Sequence, residues 1–120
     1  MRKQTTPLSE SQIQHGCLEW FRHQYPMLER MMFAVPNGGR RDKRTAARMK
    51  FEGVVKGVAD LILLVPKKGF ASLCIEMKTP KGTQSEHQRK WQREAETYRN
   101  KYVVCHSLQE FMNEVNSYLR

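Results

Sequence analysis

The sequence reads GVADLILLV over residues 57–65, PKKG over residues 66–69 and FASLCIEMK over residues 70–78. Runs rich in Val, Ile and Leu that are bounded by Gly and Pro predict two buried strands joined as a hairpin. Each run also carries an acid, Asp60 in the first and Glu76 in the second. Because a buried carboxylate is costly unless it is paired or binds a metal, these acids indicate more than a structural hairpin.

The length of the turn decides whether the two acids meet. If the loop is the three residues 67–69, it needs a left-handed residue, which Gly69 supplies. Counting back along both strands then puts Asp60 directly opposite Glu76, with Cβ atoms roughly 4.5–5.5 Å apart. A four-residue loop would instead shift the register by one and separate the acids onto opposite faces of the sheet.

Two opposed carboxylates and a nearby lysine suit metal-assisted cleavage of a phosphodiester. Mg²⁺ prefers oxygen ligands. Asp60 and Glu76 would supply two of them, and the main-chain carbonyl of Met77 is placed to supply a third. Lys78 would orient or deprotonate the attacking water, or neutralise charge in the transition state. The alternative is that Glu76 and Lys78 are surface groups on a half-exposed strand, because Glu-x-Lys alone is a weak signal.

Asp60 and the triplet Glu76-Met77-Lys78 resemble the signature of the PD-(D/E)XK nuclease superfamily, and within it the VRR-NUC family of virus-type replication and repair nucleases. The resemblance covers nearly the whole chain. It includes Glu10 with Gln14, VPNGG at residues 35–39, GVAD at residues 57–60 and SEHQ at residues 85–88. Ala59 stands where the name of the superfamily has proline, but that position shapes the backbone and bears no ligand.

The resemblance implies a restriction-endonuclease-like α/β fold and gives roles to individual residues. Asp60 falls on the family's metal aspartate, and Glu76 and Lys78 fall on its acid and its lysine. Gln88 falls on the helical glutamine, so its side chain would face the metal site; the alternative is that it only caps the helix start. Glu10 becomes an auxiliary acid that binds metal directly or through water, unless it is an ordinary first-turn glutamate favoured by the helix dipole.

Composition and charge bound the class of protein. With 120 residues the chain is expected to form one domain, with residues 1–8 as a flexible arm. The net charge of +9 and the pI of about 9.8 favour a polyanionic partner. Three well-separated cysteines form neither a disulfide framework nor a zinc pattern, which indicates a reducing, intracellular setting. No apolar run is long enough to span a membrane, and the resemblance points to a bacterial or phage-infected cytoplasm.

A glycine-rich basic segment precedes the hairpin. We expect its positively charged side chains to grip DNA phosphates, with the asparagine of its turn in contact with substrate. The candidate DNA-binding residues are Asn37, Arg40, Arg41, Lys43 and Arg44, together with Lys81 after the second strand. The alternatives are a solvated loop and an asparagine that only forms the turn.

The remaining segments alternate between helical and strand patterns. Helices are predicted from a Ser9 cap to about His23, from Thr45 to Glu52, after Ser85 or Thr83, and after Ser107, and strands over Met31–Val35 and Tyr102–Cys105. The helix after Ser85 would bury Trp91, Ala95 and Tyr98. This order predicts a mixed sheet of about four strands flanked by helices on both faces.

These expectations combine into a Mg²⁺- or Mn²⁺-dependent DNA endonuclease. So small a domain has no evident reader of base sequence, and the stand-alone family members that it resembles suggest recognition of branched DNA by a symmetric pair of active sites. The prediction is therefore a homodimer that cuts four-way junctions, as a Holliday-junction resolvase does, with flap or nicking activity as the narrower alternative. The alternative from another class is a non-catalytic nucleic-acid-binding module, whose affinity would fall with salt but be indifferent to EDTA.

Overall fold

The computed structural model describes residues 6–36 and 42–120. Its elements are α1 (Glu10–Gln24), a 3₁₀ helix (Pro26–Met31), β1 (Met32–Ala34), α2 (Lys43–Phe51), β2 (Leu61–Leu63), β3 (Ser72–Met77), α3 (Glu86–Thr97), β4 (Asn100–Cys105) and α4 (Leu108–Leu119). The strands form a sheet in the order β1-β2-β3-β4, antiparallel from β1 to β3 and parallel between β3 and β4. The predicted fold class, a mixed sheet of four strands with helices on both faces, is confirmed.

The turn between β2 and β3 is shorter than the sequence predicted. Lys67 and Phe70 exchange main-chain hydrogen bonds of 3.1 and 2.8 Å, so the loop is the two residues Lys68 and Gly69. Both have positive φ, at 54° and 84°, as type I′ hairpin turns require. The predicted three-residue loop is therefore wrong, although Gly69 does take the left-handed conformation expected of it.

The register of the hairpin is nevertheless the predicted one. Between the turn and the paired strands, three residues of the first arm stand against two of the second, as in a β-bulge. This extra residue shifts the pairing by one and sets Leu61 opposite Ile75. The paired residues end at Leu61, and continuing the same register by one residue brings Asp60 opposite Glu76.

Strand β3 separates the two faces of the sheet and is buried along its whole length. On one face Ile75 belongs to the main core, which α1 and α4 close. On the other face Cys74 packs with Trp91 of α3 in a smaller cluster. Glu76 shares this second face and is 1% exposed, and the side chain of Lys78 is 13% exposed. The alternative of surface groups on a half-exposed strand is therefore wrong.

Helices α1 and α4 pack against each other beneath the sheet. Ser9 caps α1 as predicted, with its side chain accepting a hydrogen bond from the Gln12 N–H. The ring of Trp20 in α1 meets that of Phe111 in α4 edge-on, with the centroids 6.0 Å apart. Across residues 6–36 and 42–120, no helix combines the length and the apolar character needed to cross a membrane.

Two helices differ from their predicted form. Helix α2 begins at Lys43 rather than at Thr45 because Asp42 caps it, accepting a hydrogen bond of 2.7 Å from the Thr45 N–H. Helix α3 ends at Thr97. Tyr98 therefore lies beyond the helix and is 77% exposed, so its predicted burial is wrong.

Candidate active site

The segment that leads to Asp60 is held by close packing against α3. Gly57 has a φ of +85°, and a Cβ atom at this position would lie 2.3 Å from the main-chain oxygen of His87. Only glycine fits such a contact, so this segment lies directly on the first turn of α3. At the other end, the carbonyl oxygen of Asp60 accepts a hydrogen bond of 2.8 Å from the Val35 N–H, just beyond β1. The main chain is thus fixed on both sides where the Asp60 side chain begins.

The carboxylate of Asp60 is held by the main chain of β3. Its Oδ2 atom accepts a hydrogen bond of 2.7 Å from the Met77 N–H. Met77 is fully buried, so its N–H needs a partner within the protein, and Asp60 supplies one. This bond fixes Asp60 beside Glu76, which precedes Met77 in the strand.

Glu76 is the most enclosed of the predicted acids, and each of its oxygens has a donor. Its Oε2 atom accepts a hydrogen bond of 2.9 Å from Nε2 of Gln88, and its Oε1 atom accepts one of 3.3 Å from the hydroxyl of Tyr102. The ammonium of Lys78 lies 3.9 Å from Oε2. The carboxyl group is therefore held in one orientation at the end of β3.

Burial and a like charge make the ionised form of Glu76 unfavourable. Desolvation and the neighbouring Asp60 carboxylate raise the pKa of Glu76 to about 9, against the opposing effects of Lys78 and Tyr102. The ion pair with Lys78 is therefore too weak to offset burial. Without a cation, Glu76 carries a proton at neutral pH.

Gln88 caps α3 and contacts Glu76 at the same time. Its Oε1 atom accepts a hydrogen bond of 2.8 Å from the Ser85 N–H, which completes a capping box with the Ser85 hydroxyl. Its Nε2 atom is then free to donate to Glu76. From the sequence, capping the helix and facing the site were predicted as alternative roles for this one side chain. That prediction is wrong, because each end of the amide performs one of the two roles. The cap at Ser85, rather than at Thr83, is the one that forms.

The donor set of this site fits a divalent cation. Two carboxyl groups whose charges oppose each other in a buried setting are stabilised when a hard cation binds between them. Within the described ranges, no group of three or more His, Cys, Asp or Glu side chains is placed to hold a metal. Glu10 is therefore not gathered with Asp60 and Glu76 into such a group; it is an exposed residue in the first turn of α1. Its contact with metal stays a prediction.

The structure thus brings together Asp60, Glu76, Lys78 and Gln88, four of the residues that carried the resemblance. A sequence profile of the VRR-NUC domain matches residues 8–109. The chain belongs to the VRR-NUC domain family. The predicted family is confirmed, and membership supports a nuclease with DNA as its partner.

A solved structure supports the fold of this VRR-NUC domain. It is described as a VRR_NUC domain protein, and the two structures agree with a TM-score of 0.84 at 20% sequence identity. The match covers 96% of this chain and 91% of the other. At this identity the likeness establishes the fold alone. Among curated proteins, none matches the sequence.

Tyr102 contacts the candidate active site of this VRR-NUC domain, and the sequence analysis missed it. It is 6% exposed, and its hydroxyl donates to Glu76. In the parallel pairing of β3 with β4, Tyr102 lies opposite Cys74, two residues from Glu76 on the same face. The signal in the sequence is a tyrosine within a predicted strand, because the hydroxyl of a buried tyrosine needs a partner.

The candidate DNA-binding residues are divided between described and undescribed parts of the chain. Asn37, Arg40 and Arg41 lie outside the described residues. Lys43 and Arg44 are exposed in the first turn of α2, so they belong to a helix rather than to the predicted loop. Lys81 is exposed in the loop between β3 and α3.

Proposed function

We propose that this VRR-NUC domain is a metal-dependent endonuclease that hydrolyses phosphodiester bonds in DNA. The observation that carries the proposal is the enclosed carboxyl of Glu76, opposite Asp60 in the hairpin register and 3.9 Å from the ammonium of Lys78. A structural core has no use for this combination, since two acids side by side cost stability. Phosphodiester hydrolysis does use this combination, because the reaction needs a cation and a positive side chain at one phosphate.

The residues that would hold Mg²⁺ or Mn²⁺ are Asp60, Glu76 and the carbonyl of Met77, with Glu10 in direct contact or through water. When bound, the cation polarises the scissile phosphate and lowers the pKa of a water molecule. The Met77 N–H already fixes the Oδ2 atom of Asp60. Gln88 and Tyr102 already orient the two oxygens of Glu76. Such outer contacts fix the direction of metal ligands and so improve their affinity.

The chain's own side chains divide the remaining work. Lys78 places a positive charge beside Glu76, where it orients the attacking water and offsets the negative charge that develops on phosphate. The oxygen of that water bonds to phosphorus as the bond from phosphorus to one DNA oxygen breaks. The water gives up a proton, and the leaving DNA oxygen takes one up. Gln88 and Tyr102 position Glu76 rather than act on DNA, because Nε2 of Gln88 and the hydroxyl of Tyr102 already donate to its carboxyl group.

Exposed positive side chains would hold the DNA backbone. Lys43, Arg44 and Lys81 are exposed cations. Asn37, Arg40 and Arg41, which lie outside the described residues, are further candidates for contact with DNA. The net charge of +9 supports such a sequence-independent grip. Affinity should therefore fall steeply as salt is raised.

Branched DNA is the proposed substrate, cut by a homodimer. A homodimer places two active sites related by a two-fold axis, which matches the two-fold arrangement of strands at a four-way junction. Flap or nicking activity is the narrower alternative. Either activity keeps the same chemistry at Asp60, Glu76 and Lys78.

A cleavage assay on matched DNA substrates tests the proposal. Four-way-junction, 5′-flap, single-stranded and linear duplex DNA are each incubated with Mg²⁺, Mn²⁺ or EDTA. We expect paired incisions in the junction that EDTA prevents. Cleavage of flaps or linear DNA instead would retain the chemistry and remove the junction preference. Binding that is indifferent to EDTA, with no cutting of any substrate, would identify a non-catalytic nucleic-acid-binding module.

A further inference from the structure

A cleft of about 860 Å³ lies between α2, with the turn of residues 53–56 that follows it, and α3. We call this space the α2–α3 cleft. Its walls include the apolar side chains of Met49 and Val55, and Trp91 of α3 lines it as well. Its volume lies within the range of about 300–1,000 Å³ that is typical of small-ligand sites.

The α2–α3 cleft reaches the candidate active site. Two of its lining residues, Lys56 and His87, directly precede Gly57 and Gln88, so it ends where Gly57 touches the main chain of α3. The ring of Trp91 lies against that of Tyr102, with centroids 6.0 Å apart, and Tyr102 in turn donates to Glu76. A molecule in this cleft would therefore be a neighbour of the phosphate at the site.

The charge of the cleft favours an anionic occupant. Lys50, Lys56 and Lys90 line it and are exposed, and within the described part of the chain none of the three is paired with a carboxylate. Glu94 is the acid among the described lining residues. Three lysines around an indole and aliphatic side chains suit a ligand that joins phosphates to a flat aromatic ring, which describes a nucleotide.

We propose that the α2–α3 cleft binds an unpaired nucleotide of the DNA substrate, with the base against Trp91 and the flanking phosphates against Lys50 and Lys90. Bases within a duplex are stacked and cannot enter such a cleft, whereas a flap or an opened branch point provides free bases. This inference rests on the proposed nuclease function and deepens it. It gives the domain a preference for DNA with single-stranded character next to the cut.

Tryptophan fluorescence tests the proposal without any cleavage. The chain has two tryptophans, Trp20 and Trp91. In a Trp20→Phe variant the remaining signal comes from Trp91 alone, and Trp20 packs on the opposite face of the sheet against Phe111. In EDTA, we expect an oligothymidylate of roughly ten nucleotides to quench this fluorescence on binding, whereas a duplex of equal length should leave it nearly unchanged.

Charge variants in the same background locate the bound strand. Lys50→Gln with Lys90→Gln should weaken oligothymidylate binding about tenfold and lower the slope of log affinity against log salt by about 0.7 per lysine. The matched control is Lys67→Gln with Lys68→Gln, which removes the same charge in the hairpin turn, at the end of β3 away from Glu76. This control should change binding much less.

Three results would overturn the inference. One is equal quenching by duplex and oligothymidylate, or none by either. Another is equal weakening in the two double variants, which would indicate general attraction to the net charge. The third is a change in Trp91 fluorescence with protein concentration alone, which would identify a second copy of the chain as the occupant. Cleavage that persists in any of these cases leaves the nuclease function intact, whereas Trp91 quenching without cleavage on any substrate would remove that function and keep the binding site.

Discussion

At the scale of single residues, Glu76 is the side chain on which the site depends. Its oxygens are held by Gln88 from α3 and by Tyr102 from β4, so it joins the sheet to the helix above it. The sequence could place Asp60 beside Glu76, because strand alternation and the register fix that pair. It could not place Tyr102, since that contact arises from a parallel strand whose pairing no local pattern specifies.

The pKa of Glu76 makes the stability of the metal-free protein depend on pH. Its pKa rises from 4.5 to about 9 on folding, so the folded state holds the proton more firmly than the unfolded state does. This contribution to stability is complete below pH 4.5 and is lost as pH rises towards 9. In EDTA, we expect the free energy of unfolding to fall as pH rises across this window, by at most about 1 kcal/mol per pH unit.

Glu76→Gln supplies the control for this pH dependence. Glutamine keeps an oxygen and the size of the side chain but does not titrate, so urea unfolding of the variant at several pH values should follow a flatter curve. Equal slopes for the wild type and Glu76→Gln would show that another group carries the dependence.

Charge and hydrogen bonding can be separated at Asp60. Asp60→Asn removes the negative charge and should therefore abolish cleavage. It keeps an acceptor for the Met77 N–H, so stability should stay within about 1 kcal/mol of the wild type. Asp60→Ala should also abolish cleavage, but it leaves a buried N–H without its partner and should cost about 1–3 kcal/mol. Thermal unfolding with a cleavage assay measures both effects. Full activity in purified Asp60→Asn would rule out the proposed role.

The same logic applies to Lys78. Lys78→Ala should abolish cleavage with the fold intact, because it removes the ammonium that lies 3.9 Å from Glu76. Lys67→Ala, in the hairpin turn, removes an equal charge far along the strand and should retain activity. Comparable turnover numbers for the two variants would contradict a role for Lys78 at the reacting phosphate.

At the scale of elements, the hairpin shows how a correct register can arise from a different turn. The core requires Leu61 and Ile75 on one face, and this requirement rules out a pairing shifted by one residue, whatever the length of the loop. The stretch Lys67-Lys68-Gly69 can close a hairpin with two or three loop residues, so its sequence does not decide between them. The structure uses two and restores the register with an extra residue in the first arm.

Gly57→Ala tests how the loop before Asp60 positions α3. The added Cβ would lie 2.3 Å from the main-chain oxygen of His87, and the alanine would have to adopt a φ of +85°. We expect it to displace the first turn of α3, so that Gln88 loses Glu76 and cleavage falls by an order of magnitude or more. Gly69→Ala is a matched control, because Gly69 has a φ of +84° and an added Cβ would meet nothing within 4 Å. This variant should lose only about 1–2 kcal/mol of stability, from backbone strain, and should keep its activity. If both variants lost stability and activity equally, the packing against α3 would not matter.

At the scale of the whole molecule, the sequence predicted the sheet, its helical layers and the family. These follow from hydrophobic periodicity and from motifs spread along the chain. It did not predict the α2–α3 cleft, because α2 has no buried residue and its place depends on tertiary contacts that leave no periodic pattern. Tyr98 was misplaced for a related reason, since an aromatic residue in line with a buried stripe loses that position when the helix ends one residue earlier.

The proposed homodimer makes a prediction that only the assembled molecule can satisfy. Light scattering under cleavage conditions should give a mass of twice the 14.1 kDa of the chain. In heterodimers of wild-type and Asp60→Asn chains, one active site is intact, so a four-way junction should be nicked in one strand and not resolved. Gel analysis of the products distinguishes a single nick from paired cuts. A monomer that makes both incisions would mean that one site acts twice in succession, and the two-fold match between enzyme and junction would lose its basis.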